Sequence, residues 1–194
     1  MGSFQFDCVD QASLSAGDPF EYLKGSTVQI VPFRGVDNDI HQLYTINNNT
    51  QWVQADVSAV VHAPAAAGDP FGSLTPGGNQ IVDYTGTDGH IHQLYISNGH
   101  WVHLDLTAVT NAPLSGGDPF EYLNGSSQII PFRGVDSDIH QLYTINNNTQ
   151  WVHADLSKSA GAPPSAGDPF AYISGAQDVV YRGTDGDIHL LFLH

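Results

Sequence analysis

The chain has 194 residues, 41% of them hydrophobic, which is enough for one cored domain and too apolar for a disordered one. Five Lys and Arg against 20 Asp and Glu give a net charge of −15, which argues against nucleic acid and anionic lipid as partners, because both are held by neutralising contacts from basic side chains. No segment approaches the roughly 18 apolar residues of a membrane span, and a single cysteine, Cys8, excludes an internal disulfide framework.

In chain order, the first predicted element is a short strand at residues 4–9, "FQFDCV". The N-terminus shows neither the basic nor the apolar region of a secretion signal, so a soluble, leaderless chain is expected, cytoplasmic or secreted. After "GDPF" at 17–20 come four predicted strands: a in "DPFEYL", b in "VQIVPFRG", c in "DIHQLYTI" and d in "QWVQADV". Their apolar and polar residues alternate, and the turns between them are rich in Gly, Asn and Asp. Pro32 in strand b, and Pro131 in its later copy, remove a ladder donor and point to a bulge or to another register.

The same series then returns three times. "GDPF" recurs at 68–71, 117–120 and 167–170, its aspartates 51, 49 and 50 residues apart. Repeats therefore run over about 17–67, 68–116, 117–166 and 167–194. Copies 1 and 3 are nearly identical, while copies 2 and 4 share "GTDG". The fourth copy stops at "IHLLFLH", after strand c, and "FQFDCV" matches the missing strand d. Four antiparallel strands per period of about 50 residues are the pattern of a propeller blade. The expected fold is all-β, one four-bladed β-propeller over residues 1–194, closed by residues 4–9 completing the last blade. A half-ring that dimerises to eight blades is the alternative, so a homo-oligomer stays open.

In this topology the d–a linkers and b–c turns gather at one rim, together with Asp18, Arg34, Asp37, Asp39, His41 and Asp56 and their equivalents. "RGVDNDIH" and "RGTDGDIH", with a Trp strand and then a Pro-containing linker following in the first three copies, resemble the blade pattern of bacterial and fungal propeller lectins, including fucose-binding ones. The resemblance spans all four copies and implies a multivalent carbohydrate-binding ring without catalytic activity.

Each repeated polar group has two readings. His41, His92, His140 and His189 share a face with the leucines of strand c, and the expected role is a buried histidine bonded to a nearby Asp or carbonyl that locks blades together. Asp37, Asp39, Asp88, Asp136, Asp138 and Asp185 suit turn capping or ligand contact, since "VDNDI" is too short for a full calcium loop. Asp18, Asp69, Asp118 and Asp168 start the innermost strands and would either hold a channel cation, the one cofactor considered, or cap their own turns. Arg34, Arg133 and Arg182 occupy a position that Thr85 fills in copy 2. Their planar donor forks suit a sugar diol, a carboxylate or a neighbouring blade's Asp. Trp52, Trp101 and Trp151 supply apolar faces for a sugar ring or for blade packing.

Repetition places like groups in like settings, whereas hydrolysis needs an acid and a base in unlike ones. The expected function is therefore glycan binding, with a protein-interaction or ion-binding ring, or an enzyme with one asymmetric site in copy 2, as alternatives. Asn48, Asn124 and Asn147 begin Asn-x-Ser/Thr triplets in turns of the opposite rim.

Overall fold

The computed structural model describes residues 13–146, 148–173 and 176–193. Each repeat folds as one antiparallel sheet in simple up-and-down order. Repeat 1 carries β1 (Tyr22–Lys24), β2 (Val28–Arg34), β3 (Ile40–Ile46) and β4 (Gln51–Asp56). Repeat 2 carries β5 (Phe71–Leu74), β6 (Gln80–Thr85), β7 (Ile91–Ser97) and β8 (His100–Asp105). Repeat 3 follows with β9 (Tyr122–Asn124), β10 (Ser127–Arg133), β11 (Ile139–Ile145) and β12 (Gln150–Asp155). Repeat 4 has three strands among the described residues, β13 (Phe170–Ile173), β14 (Gln177–Arg182) and β15 (Ile188–Leu193). The strand expected to complete that sheet, residues 4–9, lies outside the described residues.

The prolines fit without a bulge. Pro32 pairs with Gln42 in an unbroken register, and its carbonyl accepts from Phe20 N at 3.2 Å. In a strand the N and C=O of one residue point to the same side, so the missing donor faces β1 beyond the last rung of that ladder, and no bond to β3 is lost. Strand a is shorter than expected for the same reason: in repeats 1 and 3 it has three residues.

The linkers hold an element that sequence reading missed. Each of the first three repeats ends in a one-turn helix, α1 (Val57–Val61), α2 (Leu106–Thr110) and α3 (Leu156–Ala160). The last residue of strand d caps it: Asp56, Asp105 and Asp155 accept from the N–H of Ala59, Ala108 and Lys158 at 2.9, 2.8 and 2.8 Å. A left-handed residue, His62, Asn111 or Gly161, ends it. The second helical residue ties the helix to strand c, as Ser58 Oγ, Thr107 Oγ1 and Ser157 Oγ accept from the N–H of Ile40, Ile91 and Ile139.

These helices aim one apolar side chain each into the seam with the next repeat. Ile40 and Val57 of repeat 1 pack on Val82, Tyr84 and Leu94 of repeat 2. Ile91 and Leu106 pack on Ile130, Phe132 and Leu142, and Ile139 and Leu156 pack on Val179, Tyr181 and Leu191. Among the described residues the core thus contains three copies of one seam, which is how repeat arrays gain stability from neighbours. Ile188, the counterpart of the fully buried Ile40, is 69% exposed, and Val31, Phe33 and Leu43 line a groove on repeat 1.

Candidate functional site

At the rim the b–c turn and the linker are stitched together. Ser15, Ala66, Ser115 and Ser165 form single bridges to Gly35, Gly86, Gly134 and Gly183. The N–H of Ala66, Ser115 and Ser165 also donates to the b–c turn of its own repeat, at Asn38, Gly89 and Ser137. Arg34, Asp37, Asp39, His41 and Asp56 stand at this end of the sheet, beside the b–c turn.

The turn aspartates clasp the strand-c histidines of their own repeat. His41 Nε2 lies 3.0 Å from Asp37 Oδ1, and His92, His140 and His189 lie 3.2, 3.1 and 3.0 Å from Asp88, Asp136 and Asp185. Each of these aspartates also accepts the N–H two residues on, at Asp39, His90, Asp138 and Asp187, which shapes the turn. The hydrogen bond from His41 holds the Asp37 carboxyl below its usual range despite partial desolvation. The expected lock between blades is therefore, in its Asp bond, a lock within each blade.

The other ring nitrogen of His41, His92 and His140 meets a side chain of strand d. Gln54 Nε2 donates to His41 Nδ1 at 3.2 Å, while His103 and His153 Nε2 stand 3.0 and 3.1 Å from His92 and His140 Nδ1. At His41 the amide donor of Gln54 on Nδ1 and the Asp37 carboxylate on Nε2 match a ring that carries its hydrogen on Nε2. Burial, then the adjacent histidine, lowers the pKa of His103 and His153, which favours their neutral forms. Asp39 is raised by burial and by Asp56 and Asp37; in repeat 2 its position is His90, whose Nδ1 meets Asp105 at 2.8 Å.

The Gly-Asp-Pro aspartates of repeats 2, 3 and 4 reach the repeat before them. Asp69 Oδ2 accepts from Asp18 N and Asp118 Oδ1 from Asp69 N, both at 3.0 Å, so the carboxylates cap the preceding repeat's turn and not their own. Arginines complete the link. Arg34 Nη2 donates to Ala16 O at 3.1 Å and lies 3.6 Å from Asp69. Arg133 donates to Gly116 O and lies 3.6 Å from Asp168, while Arg182 donates to Ala166 O at 3.2 Å. Among the described residues, no three His, Cys, Asp or Glu side chains converge to hold a metal ion.

The tryptophans do not join the arginines. Trp52 pairs with Thr45 at one end of strand c, whereas Arg34 pairs with Ile40 at the other, five residues or roughly 17 Å away. The aromatic and rim groups read from the sequence therefore lie toward opposite ends of a blade. Trp101 and Trp151 flank the seams, half-buried against the clusters of Val82 and Ile130.

What Trp151 does border is a cleft of about 230 Å³ between repeats 2 and 3, shared with Tyr95, Gln93, Gln128, Asn148 and Thr75. Gln93 Nε2 donates across the seam to Gln128 Oε1 at 3.0 Å, and Gln177 donates likewise to Gln141. These glutamines recur at Gln42, Gln93 and Gln141 on strand c and at Gln80, Gln128 and Gln177 on strand b. The repetition was visible in the sequence, but only the seam shows that adjacent repeats bring the two sets together.

Deeper in the same seam lies a buried acidic pair, Asp83 of β6 and Glu121 ahead of β9, 0% and 2% exposed. Ser73 Oγ donates to Glu121, and Gln93 Nε2 donates to Asp83 at 3.0 Å. Burial raises both carboxyls, with Glu121 pushed up to about 7, and the Glu121 charge raises Asp83 further. Both are closed to solvent, so neither is placed to act on a substrate.

No protein-family model matches the chain, and no curated protein sequence matches it. Solved structures do. The lectin AofleA from Arthrobotrys oligospora is 12% identical with a TM-score of 0.64, over 94% of this chain and 55% of that one. The Aleuria aurantia lectin, described as a six-bladed β-propeller with a fucose recognition mode, is 12% identical with a TM-score of 0.53, over 86% and 56%. An α-L-arabinofuranosidase from Podospora anserina, in complex with cellotriose, is 11% identical with a TM-score of 0.50, over 95% and 65%. The chain thus spans between 55% and 65% of the length of these proteins. At such identities the likeness establishes the fold: four antiparallel sheets arranged as in β-propellers, a scaffold that serves lectins and a glycosidase alike.

Proposed function

We propose that this protein is a multivalent, non-catalytic carbohydrate-binding protein whose sugar sites lie in the seams between adjacent repeats. The observation that carries the reading is the cleft of repeats 2 and 3, where Trp151 and Tyr95 stand beside the amides of Gln93, Gln128 and Asn148. A sugar needs this combination, an aromatic face for its C–H side and directional donors and acceptors for its hydroxyls. Tyr44, Gln42, Gln80 and Trp101 hold the same positions at the first seam, and Tyr143, Gln141 and Gln177 at the third. Fucose is the first sugar to test, given what the Aleuria lectin recognises.

The rim arginines and aspartates then serve mainly to join and shape blades. The absence of catalysis is supported by the chemistry of the repeated His–Asp pairs, which are like groups in like settings, and by the closed position of Asp83 and Glu121. Ring closure belongs to the same proposal. Residues 4–9 would add the fourth strand beside β15, and the face of Ile188 would meet that of Val31, Phe33 and Leu43. Calorimetry of the full chain with methyl α-L-fucoside tests the function. Several equivalent sites per chain are expected, and one site, or none for fucose and a panel of other monosaccharides, would refute it.

A further inference from the structure

The rim between repeats 2 and 3 lacks the arginine found at its neighbours. Where repeats 1, 3 and 4 carry Arg34, Arg133 and Arg182, repeat 2 carries Thr85. Arg34 and Arg133 each fill the slot between their own repeat and the next, against a linker carbonyl and the next repeat's aspartate. Thr85 Oγ1 instead donates to Gly117 O at 2.7 Å and leaves that slot open. The result is a cavity of about 370 Å³ whose lining includes Thr85, Thr87, Gly89, Ser115 and Asp118.

Asp118 is the counterpart of Asp69 and Asp168, but the arginine that meets each of those is missing from its seam. It is half-buried and accepts from Asp69 N at 3.0 Å. The charges acting on it are Asp168 and Asp69, which oppose its ionisation, and Arg34 from the neighbouring seam, which favours it. Burial is the largest influence and raises its pKa, the mark of a carboxylate short of a cation. The matching linker carbonyl, Ala67 O, stands where Ala16 O and Gly116 O receive an arginine.

We propose that this slot binds a guanidinium group carried by a ligand, which takes the place the chain itself fills with arginine at the flanking seams. Asp118 supplies the carboxylate, and the planar fork matches a carboxylate beside a carbonyl better than a compact ammonium does. The site is separate from the sugar cleft and independent of that reading.

Amide chemical shifts of the full chain, recorded during titration with methylguanidinium, test the proposal. Saturable shifts are expected at Thr85, Gly86, Gly89 and Gly117, with a dissociation constant on the order of 1–10 mM for one charge-assisted contact. Ethylammonium should bind at least threefold more weakly, and neutral N-methylurea should leave these amides unmoved. Thr85→Arg should abolish binding, and Asp118→Asn, which keeps an acceptor for Asp69 N, should weaken it at least tenfold. Arg133→Thr should open a second site beside Asp168. Comparing arginine amide with Gly-Arg-Gly amide separates a free small molecule from a peptide side chain, since extra affinity of the tripeptide marks the latter. An unchanged melting temperature confirms that each variant is folded. The proposal is overturned if no saturable shift occurs, if N-methylurea produces the same shifts, or if binding survives Asp118→Asn.

Discussion

Replacing Glu121 by Gln should change how stability depends on pH. The carboxyl is 2% exposed beside the fully buried Asp83, and burial lifts it from the ordinary 4.5 to about 7. An acid whose folded pKa is raised binds more protons folded than unfolded. Its stabilising contribution is therefore complete below pH 4.5 and is lost as pH rises through about 7. A rise of about 2.5 pH units corresponds to roughly 3 kcal/mol. The Asp83 carboxyl is raised as well and acts in the same direction. Glutamine keeps the shape and an acceptor for Ser73 Oγ but cannot ionise. Urea unfolding of both proteins from pH 4.5 to 8 should show the variant gaining on the wild type by about 2–3 kcal/mol across that interval. A difference that stays constant with pH would refute the claim that the seam holds this carboxyl protonated.

Two further substitutions test the elements that build the seams. Asp105→Ala removes the cap that accepts Ala108 N at 2.8 Å and should cost about 1 kcal/mol in urea unfolding; no loss would mean that α2 does not depend on its cap. Tyr84→Phe removes the hydroxyl that donates to Pro64 O at 2.8 Å beneath the first linker and should cost about 1 kcal/mol while leaving the apolar cluster intact. A neutral result there would show that the linker carbonyl is satisfied in another way.

The fold was largely legible because the chain states it four times. Alternation in "VQIVPFR" and "IHQLYTI" sets strands b and c, and the Gly and Asn turns set their pairing, so the registers Pro32 with Gln42 and Thr45 with Trp52 follow from short loops. The helices escaped notice because five residues are too few to show a 3.6-residue period. Their one sequence signal is an aspartate followed by an apolar residue and then Ser or Thr, in Asp56-Val57-Ser58 and its copies.

The site was legible as a set of residues but not as an arrangement. Arg34 and Trp52 both recur, yet recurrence does not say at which end of a blade each one sits, and a strand of seven residues keeps them apart. His41, His92 and His140 are buried and His189 is partly exposed, and the partner of each lies four residues back in the same turn, a contact set by the b–c hairpin. Asp83 and Glu121 could not be paired from sequence at all. They sit 38 positions apart in different repeats, and only the seam brings them together.

The seam cleft can be tested one site at a time. Trp151→Ala and Gln128→Ala each alter the cleft of repeats 2 and 3 and leave the positions of Trp101 and Gln80 at the first seam unchanged. Loss of one aromatic packing face for the sugar ring or one directional bond weakens a site selectively, so calorimetry with methyl α-L-fucoside should show the stoichiometry falling by one site per chain in each variant, with the remaining affinity unchanged. Variants that bind with the full wild-type stoichiometry and affinity would contradict the placement of the sugar sites in the seams.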